Sequence, residues 1–351
     1  MAKGAKEETQ APMALYRAYR PAAFKDVRGQ EEVVSVLEAA VKKGDIAHAY
    51  LFAGGRGTGK TSMARILARA VGTQDEDIYE MDAASNRGID EIRELREGVA
   101  TLPFSSKYKF YIIDEAHALT KDAWGAFLKT LEEPPAHAVF VLATTELDRV
   151  PETIRSRCQV FQFKKPSQEI LKKLVADVAK KEGVALAPAG AELIALMGDG
   201  SFRDTLGVLQ KALTVSDGGK LGEEEVARVV GAPQGSLVND FVSGAARKDP
   251  EAALAAFHAA LKAGAEARVF LLLAIAKIRG ILLLRYAPKL KAELGEQFGE
   301  DDLVLMQKLA GSEGKEINSA LLAELITALV ETPRAPLPEL PLELAIYRLQ
   351  A

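Results

Sequence analysis

At 351 residues, with 48% apolar and 27% charged side chains, the chain exceeds one ordinary core and has the composition of a soluble globular protein of two or three domains. Its formal net charge of −4 excludes a bulk basic field: residues 1–165 hold 24 Lys/Arg and 24 Asp/Glu, leaving 21 against 25 beyond, so any DNA contact must be local. One cysteine, Cys158, excludes an intrachain disulfide and a cysteine-built metal site, and the longest apolar run, Val269 to Ala276, is far too short for a bilayer span.

The polar, charged start of the chain has no apolar signal core, so export is not expected and a cytoplasmic setting fits. Residues 1–15 are expected to be disordered, having little to bury. A turn-rich segment follows, from Tyr16 to Gly29, and then a helix from about Gln30 to Lys43 with Val33, Leu37 and Val41 on one face, ended by Gly44.

The apolar run Ala49 to Ala53 reads as a buried strand, and it leads into Gly54-Gly55-Arg56-Gly57-Thr58-Gly59-Lys60-Thr61 with a helix opening at Ser62. The glycines let the backbone turn its N–H groups toward phosphate oxygens at the positive end of that helix. Lys60 is placed to reach the β- and γ-phosphates, and the Thr61 hydroxyl to complete a Mg²⁺ shell, so nucleotide binding is the expectation on which the others rest.

Four more apolar runs read as strands: Ile78 to Met81, Phe110 to Ile113, Val139 to Leu142 and Val160 to Phe163. Strands alternating with helices imply a parallel sheet covered on both faces. In one of those helices Trp124, Phe127, Leu128 and Leu131 share a face, which makes the aromatics core, and Pro134-Pro135 stops it.

The strand Phe110 to Ile113 ends in Asp114-Glu115, which a parallel sheet brings to the edge where the phosphate loop lies. Asp114 suits a Mg²⁺ shell and Glu115 a general base on water. His117 reads as local packing, since no metal or proton-transfer partner is visible. The next strand ends in Thr144-Thr145, either hydroxyl of which could position water beside Glu115. Arg157 could face its own nucleotide, a neighbour's, or a carboxylate, and Arg203 either folds onto the γ-phosphate or pairs with Asp204 or Asp199.

From Lys165-Pro166 onward everything reads helical, with Gly231 to Gly235 as the best linker. The lysine pairs at 164–165, 172–173 and 180–181 read as a solvated face.

YRAYRPAAFKDVRGQ from Tyr16, GGRGTGKTS, MDAASNRGID, IIDEAHALT, AFLKTLEEPP, LATTE, IRSRC and DGSFRDTLGVL resemble, in order and spacing, the bacterial DNA polymerase III gamma/tau subunits, the ATPases of the sliding-clamp loader. The resemblance implies an α/β fold of the AAA+ P-loop type: an ATPase core over 16–165 with a five-stranded parallel sheet, a helical lid over 166–232 and an all-helical collar over 236–351. It implies ATP and Mg²⁺, Thr144 or Thr145 as the sensor-1 residue, Arg157 as a finger on a neighbouring subunit's ATP, and Arg203 as the sensor-2 arginine. Arg20 would border the adenine, and Ser85, Asn86 and Arg87 would begin a helix facing primer–template DNA, gripping its backbone. The implied partners are delta- and delta-prime-type subunits and the clamp, in a hetero-pentamer holding several copies of this chain.

The family's four-cysteine zinc module is replaced by Val71 to Asp77, so no zinc is expected, and the chain reads as the shorter, gamma-like form. Related alternatives are an archaeal-type small clamp-loader subunit and a branch-migration or helicase motor on the same core. The intact Lys60, Thr61, Asp114 and Glu115 argue against a non-hydrolysing interaction subunit.

Overall fold

The computed structural model describes residues 13–216, 219–291, 294, 298, 300–311 and 314–348, so most of the N-terminal stretch expected to be disordered lies outside the described residues. Order begins earlier than expected at this end, with Leu15 buried in a short helix, α1 (Leu15–Ala18). The chain forms two compact units, one of residues 1–178 and 198–210, the other of 179–197 and 211–351. The stretch expected to form one lid is thus divided between them.

The first unit is built on five parallel strands: β1 (Ala49–Gly54), β2 (Ile78–Asp82), β3 (Lys109–Asp114), β4 (Ala138–Thr144) and β5 (Gln159–Phe163). Their order is β2-β3-β4-β1-β5. The central strands are buried on both faces and so read as unbroken apolar runs, whereas the edge strands β2 and β5 keep exposed positions. Register sets Ala53 beside Thr144 and Ile113 beside Leu142, so the end of β4 lies between the end of β1 and the end of β3.

Alternation divides the core in two. Tyr50 and Phe52 of β1 face α2 (Glu31–Lys43) and α3 (Lys60–Ala70), meeting Leu37, Met63 and Leu67. Leu51 faces the other side with Ile92 of α4 (Ile89–Ala100) and with Trp124, Phe127 and Leu131 of α5 (Lys121–Glu132). Phe127 meets Phe140 of β4 edge-on, ring centroids 5.3 Å apart, as core packing requires. Burying each of these large side chains contributes about 1.5–3 kcal/mol. Gly44 closes α2 in the left-handed conformation (φ 69°), and the Thr120 hydroxyl caps α5 through the Ala123 N–H.

The short α6 (Glu152–Arg155) precedes β5, and after β5 come α7 (Gln168–Lys181), α8 (Pro188–Met197), α9 (Phe202–Leu213) and α10 (Glu223–Val230). The all-helical expectation for this region is corrected by a two-residue parallel ribbon, β6 (Ala185–Leu186) with β7 (Lys220–Leu221), too short to leave a periodic signal. The expected linker is corrected as well. Gly231 caps α10 (φ 64°) and its carbonyl accepts the Glu266 N–H, while Gly235 already opens α11 (Gly235–Ala246).

In the second unit α11, α12 (Pro250–Lys262), α13 (Ala267–Tyr286), α14 (Glu300–Ala310), α15 (Ser319–Glu331) and α16 (Leu340–Arg348) share one core around Phe241, Phe257 and Phe270. Lys277 is buried there and bonds Asn239 Oδ1 (2.6 Å) and Asp302 Oδ1 (2.7 Å). Arg285 donates to the carbonyls of Leu309, Ala310, Gly314 and Ile317, satisfying the end of α14. No helix among the described residues is long and apolar enough to cross a membrane.

Candidate active site

The loop between β1 and α3 turns on Gly54 (φ 154°), Gly57 (φ 69°) and Gly59 (φ 101°), backbone settings that side chains disfavour. Space is short as well. A Cβ on Gly54 would run into the Phe163 carbonyl, and one on Gly57 into the Ser201 hydroxyl. Thr58 tightens the loop by donating to the Gly55 carbonyl (2.9 Å). Arg56 through Ser62 line a cleft shared with Asp114, Glu115, Arg20 and Arg203.

Lys60 folds back into its own loop and donates to the carbonyls of Gly54 and Gly55, both at 2.8 Å. It is only 6% exposed. Burial pulls its pKa below the ordinary lysine value; Glu115 and Asp114 oppose that, and Arg203 adds to it. Arg20 is also lowered, first by burial and then by Arg65, with Glu80 opposing and Arg203 and Arg17 adding. A buried ammonium held by neutral carbonyls, beside an Arg20 guanidinium lowered by burial and by neighbouring arginines, is a site that a polyphosphate's negative charge suits. The residues therefore fit a nucleoside triphosphate.

Thr61 donates its hydroxyl to Asp114 Oδ2 at 2.7 Å, which joins the two expected motifs in one place. This hydroxyl–carboxylate pair is a donor set for a hard divalent cation. Glu115 follows in a left-handed conformation (φ 49°, ψ 41°), and its N–H donates to Asp114 Oδ1 (3.0 Å). Thr145 donates to Glu115 Oε2 (3.1 Å). Thr144 is fully buried, and its Oγ1 accepts the Glu146 N–H (3.0 Å) and lies 3.0 Å from His117 Nδ1. Of the two threonines left open by the sequence, only Thr145 touches Glu115 with its hydroxyl.

Arg203 lines the cleft, its guanidinium 5.8 Å from the centroid of the Tyr16 ring, and Asp199 pairs with Lys165 (3.8 Å). The start of α9 is held to the phosphate loop, because the Phe202 N–H donates to the Gly57 carbonyl at 3.0 Å. Arg157 does not line the cleft: it pairs with Glu132 Oε1 (2.8 Å) and donates to the Thr153 carbonyl (2.7 Å).

Ser85, Asn86 and Arg87 also lie off the cleft and do not begin a helix, which corrects the expectation. Helix α4 starts at Ile89, and the preceding turn is folded around Asp82. Its carboxylate accepts the Ala84 N–H (2.9 Å) and the Ser85 hydroxyl (3.1 Å), and its carbonyl accepts the Asn86 N–H (2.9 Å). The turn reaches the site through Ala83, whose N–H donates to the Asp114 carbonyl (2.9 Å). Cys158 offers no chemistry of its own, since burial pushes its thiol up to about 12.

The residue that sequence reasoning missed is His117. The sequence alone reads it as local packing, yet besides its approach to Thr144 its ring lies 3.1 Å from Glu146 Oε1 and 3.5 Å from Glu115 Oε2. Its place three residues after Asp114 was the available signal.

A family model described as DNA polymerase III, delta subunit, matches residues 29–88 and 74–167. DNA polymerase III subunit gamma/tau of Mycobacterium bovis is 34% identical over 360 residues, covering 96% of this chain and 62% of that protein. DNA polymerase III subunit tau of Bacillus subtilis is 38% identical over 302 residues, covering 80% of this chain and 54% of that protein. The chain thus spans less than two thirds of either relative. Among solved structures, the Thermotoga maritima RuvB Holliday junction branch migration motor superposes with a TM-score of 0.52 at 21% identity, over 79% of this chain and 85% of that one, a likeness of fold. Along nearly its whole length this chain is similar to DNA polymerase III gamma/tau subunits, and it shares the fold of the branch migration motor.

Proposed function

We propose that this chain hydrolyses ATP to drive the loading of a ring-shaped sliding clamp onto primed DNA, as the ATPase subunit of a DNA polymerase III clamp loader. The observation that carries the reading is the convergence of Lys60, Thr61, Asp114 and Glu115 on one cleft, with Thr145 on Glu115. The loop from Gly54 to Thr61 cradles the phosphates, Lys60 exchanges its carbonyl partners for phosphate oxygens, and Arg203 adds positive charge from α9. Thr61 and Asp114 are the residues that would hold Mg²⁺, which supplies Lewis-acid neutralisation of phosphate charge. Glu115 takes the proton of a water that attacks the γ-phosphorus, the bond to the β-phosphate oxygen breaks, and Thr145 holds the carboxylate in orientation.

Arg157, turned to Glu132 and not to its own cleft, suits a finger that reaches the nucleotide of a neighbouring subunit. Arg20 borders the bound nucleotide, and the exposed turn of Ser85, Asn86 and Arg87 grips the primer–template backbone. The core is assigned to 16–165, the lid to 166–232 and the collar to 236–351, in a cytoplasmic hetero-pentamer with delta- and delta-prime-type subunits. The names of the gamma/tau relatives support the assembly.

The test is ATP turnover of the full chain reconstituted with its partner subunits. Stimulation that needs both clamp and primed DNA is expected; turnover driven by duplex DNA without clamp would replace this reading with a motor on the same fold.

A further inference from the structure

His117 stands between Thr144, the last residue of β4, and the Glu115 carboxylate just past the end of β3. Its side chain is 12% exposed, and it sits on a short 3-10 turn, Ala116–Ala118, that starts from the left-handed Glu115. The contacts determine how the ring is used. Thr144 Oγ1 accepts the Glu146 N–H and can donate its own O–H, and Nδ1, 3.0 Å away, is the acceptor because the carboxylate facing the other ring nitrogen can only accept. Nε2 then carries the ring proton and donates it to Glu146 Oε1 at 3.1 Å. Every polar atom in this chain of contacts is satisfied by that single tautomer.

Glu115 is the group left outside the chain. Its Oε2 is 3.5 Å from Nδ1 and is bound by Thr145 instead. With Nδ1 occupied by the Thr144 proton, the ring offers this carboxylate no donor, and packed 3.5 Å from Oε2 it leaves Thr145 as the side chain that holds it. Glu146 is itself held by Arg149 (3.2 Å), so the ring is fixed from its far side too.

We propose that His117 is a positioning residue for the hydrolytic step: it ties Thr144 to Glu146 and walls Glu115 into the orientation that Thr145 presents to water. The inference rests on the ATPase reading above. It assigns His117 an effect on turnover that is separate from nucleotide binding, because the ring does not line the cleft.

The test uses the full chain with its partner subunits, clamp and primed DNA, and two measurements: the affinity for a non-hydrolysable ATP analogue and kcat for ATP. His117→Phe keeps the ring volume and removes both nitrogens. It should lower kcat by about tenfold while leaving analogue affinity within about twofold. His117→Asn, whose amide reaches the place of Nδ1, should recover several-fold of that loss. The double variant His117→Phe with Thr144→Val should be no slower than the slower single one, since both cut the same contact. Should His117→Phe fail to fold, Thr144→Val carries the test and should show the same split. Wild-type kcat in His117→Phe, fully additive losses, or equal losses of affinity and turnover would overturn the inference. A wild-type chain that binds ATP and never hydrolyses it is a different outcome, and removes the ATPase reading itself.

Discussion

The Thr145 hydroxyl donates to Glu115 Oε2 at 3.1 Å, while Thr144, one residue earlier, turns its own hydroxyl away from that carboxylate into buried contacts. Thr144 is the last residue of β4 and Thr145 the first beyond it, so two like side chains meet different partners and take unlike tasks. Thr145→Val should lower kcat by about tenfold or more with little loss of stability, because it frees the carboxylate and is partly exposed. Thr144→Val takes the hydroxyl from both the Glu146 N–H and His117, so it should cost about 0.5–1.5 kcal/mol of stability as well as turnover. Thermal unfolding separates the two, since only Thr144→Val should lower the Tm; a loss of stability in Thr145→Val instead would exchange their roles.

Lys60 gives a sharper separation of fold from binding. Its folded pKa lies below the unfolded value, chiefly through burial that Glu115 and Asp114 only partly oppose, so at neutral pH the fold carries the penalty of a charged amine bonded to carbonyls alone. Lys60→Met removes that penalty and keeps the volume. In the absence of nucleotide its Tm should equal or exceed the wild type's. The rise in Tm that saturating MgATP gives the wild type, worth about 2.7 kcal/mol at a hundred times Kd, should vanish. A variant that still shifted with ATP would end the phosphate-loop assignment.

The three central strands and the phosphate loop were legible because a doubly covered parallel strand must be an unbroken apolar run, and few residues other than glycine tolerate the φ values at 54, 57 and 59. Strand order was not, since nothing local to β4 says that it lies between β1 and β3. The helix expected at Ser85 failed for a physical reason: the Asp82 carboxylate captures the turn before α4 can start. Helix α11 was hidden by glycines at 231 and 235 that read as a linker, although one closes a helix and the other opens the next. The choice between Thr144 and Thr145, and the use of His117, depend on side-chain direction across separate segments, which spacing does not carry.

Asp77 predicts a pH dependence of stability away from the site. It is fully buried, which by itself would raise its pKa, but the N–H groups of Ser105, Phe104 and Ser106 and the Ser106 hydroxyl outweigh that and hold it at about 2, from an ordinary 3.8. A depressed carboxylate stabilises the fold above its unfolded pKa, and that contribution fades as pH falls from about 4 toward about 2. It amounts to about 2 kcal/mol at neutral pH. Asp77→Asn should therefore be less stable than wild type at pH 7 in urea unfolding, and the gap should close as the pH is lowered through that window. A gap that stays constant down to the low end would assign the loss to packing.

Arg157 and Glu132 supply the last prediction, because the pair is formed within one chain at 2.8 Å while the arginine is proposed to act on the nucleotide of another. Both groups are well exposed, so the pair itself adds only about 0–1 kcal/mol and its loss should barely move the Tm. What the pair fixes is direction, since Glu132 ends α5 and holds the guanidinium beside the Thr153 carbonyl. Arg157→Ala should leave each chain's ATP affinity within about twofold but abolish the stimulation by clamp and primed DNA, the pattern of a group used only in the transition state. Glu132→Gln should reduce that stimulation several-fold without abolishing it. Mixing Arg157→Ala chains with Lys60→Met chains in one assembly tests action in trans. A junction in which an intact arginine meets an intact phosphate loop should regain stimulated turnover, and mixtures as inactive as their components would place the arginine's role within its own chain.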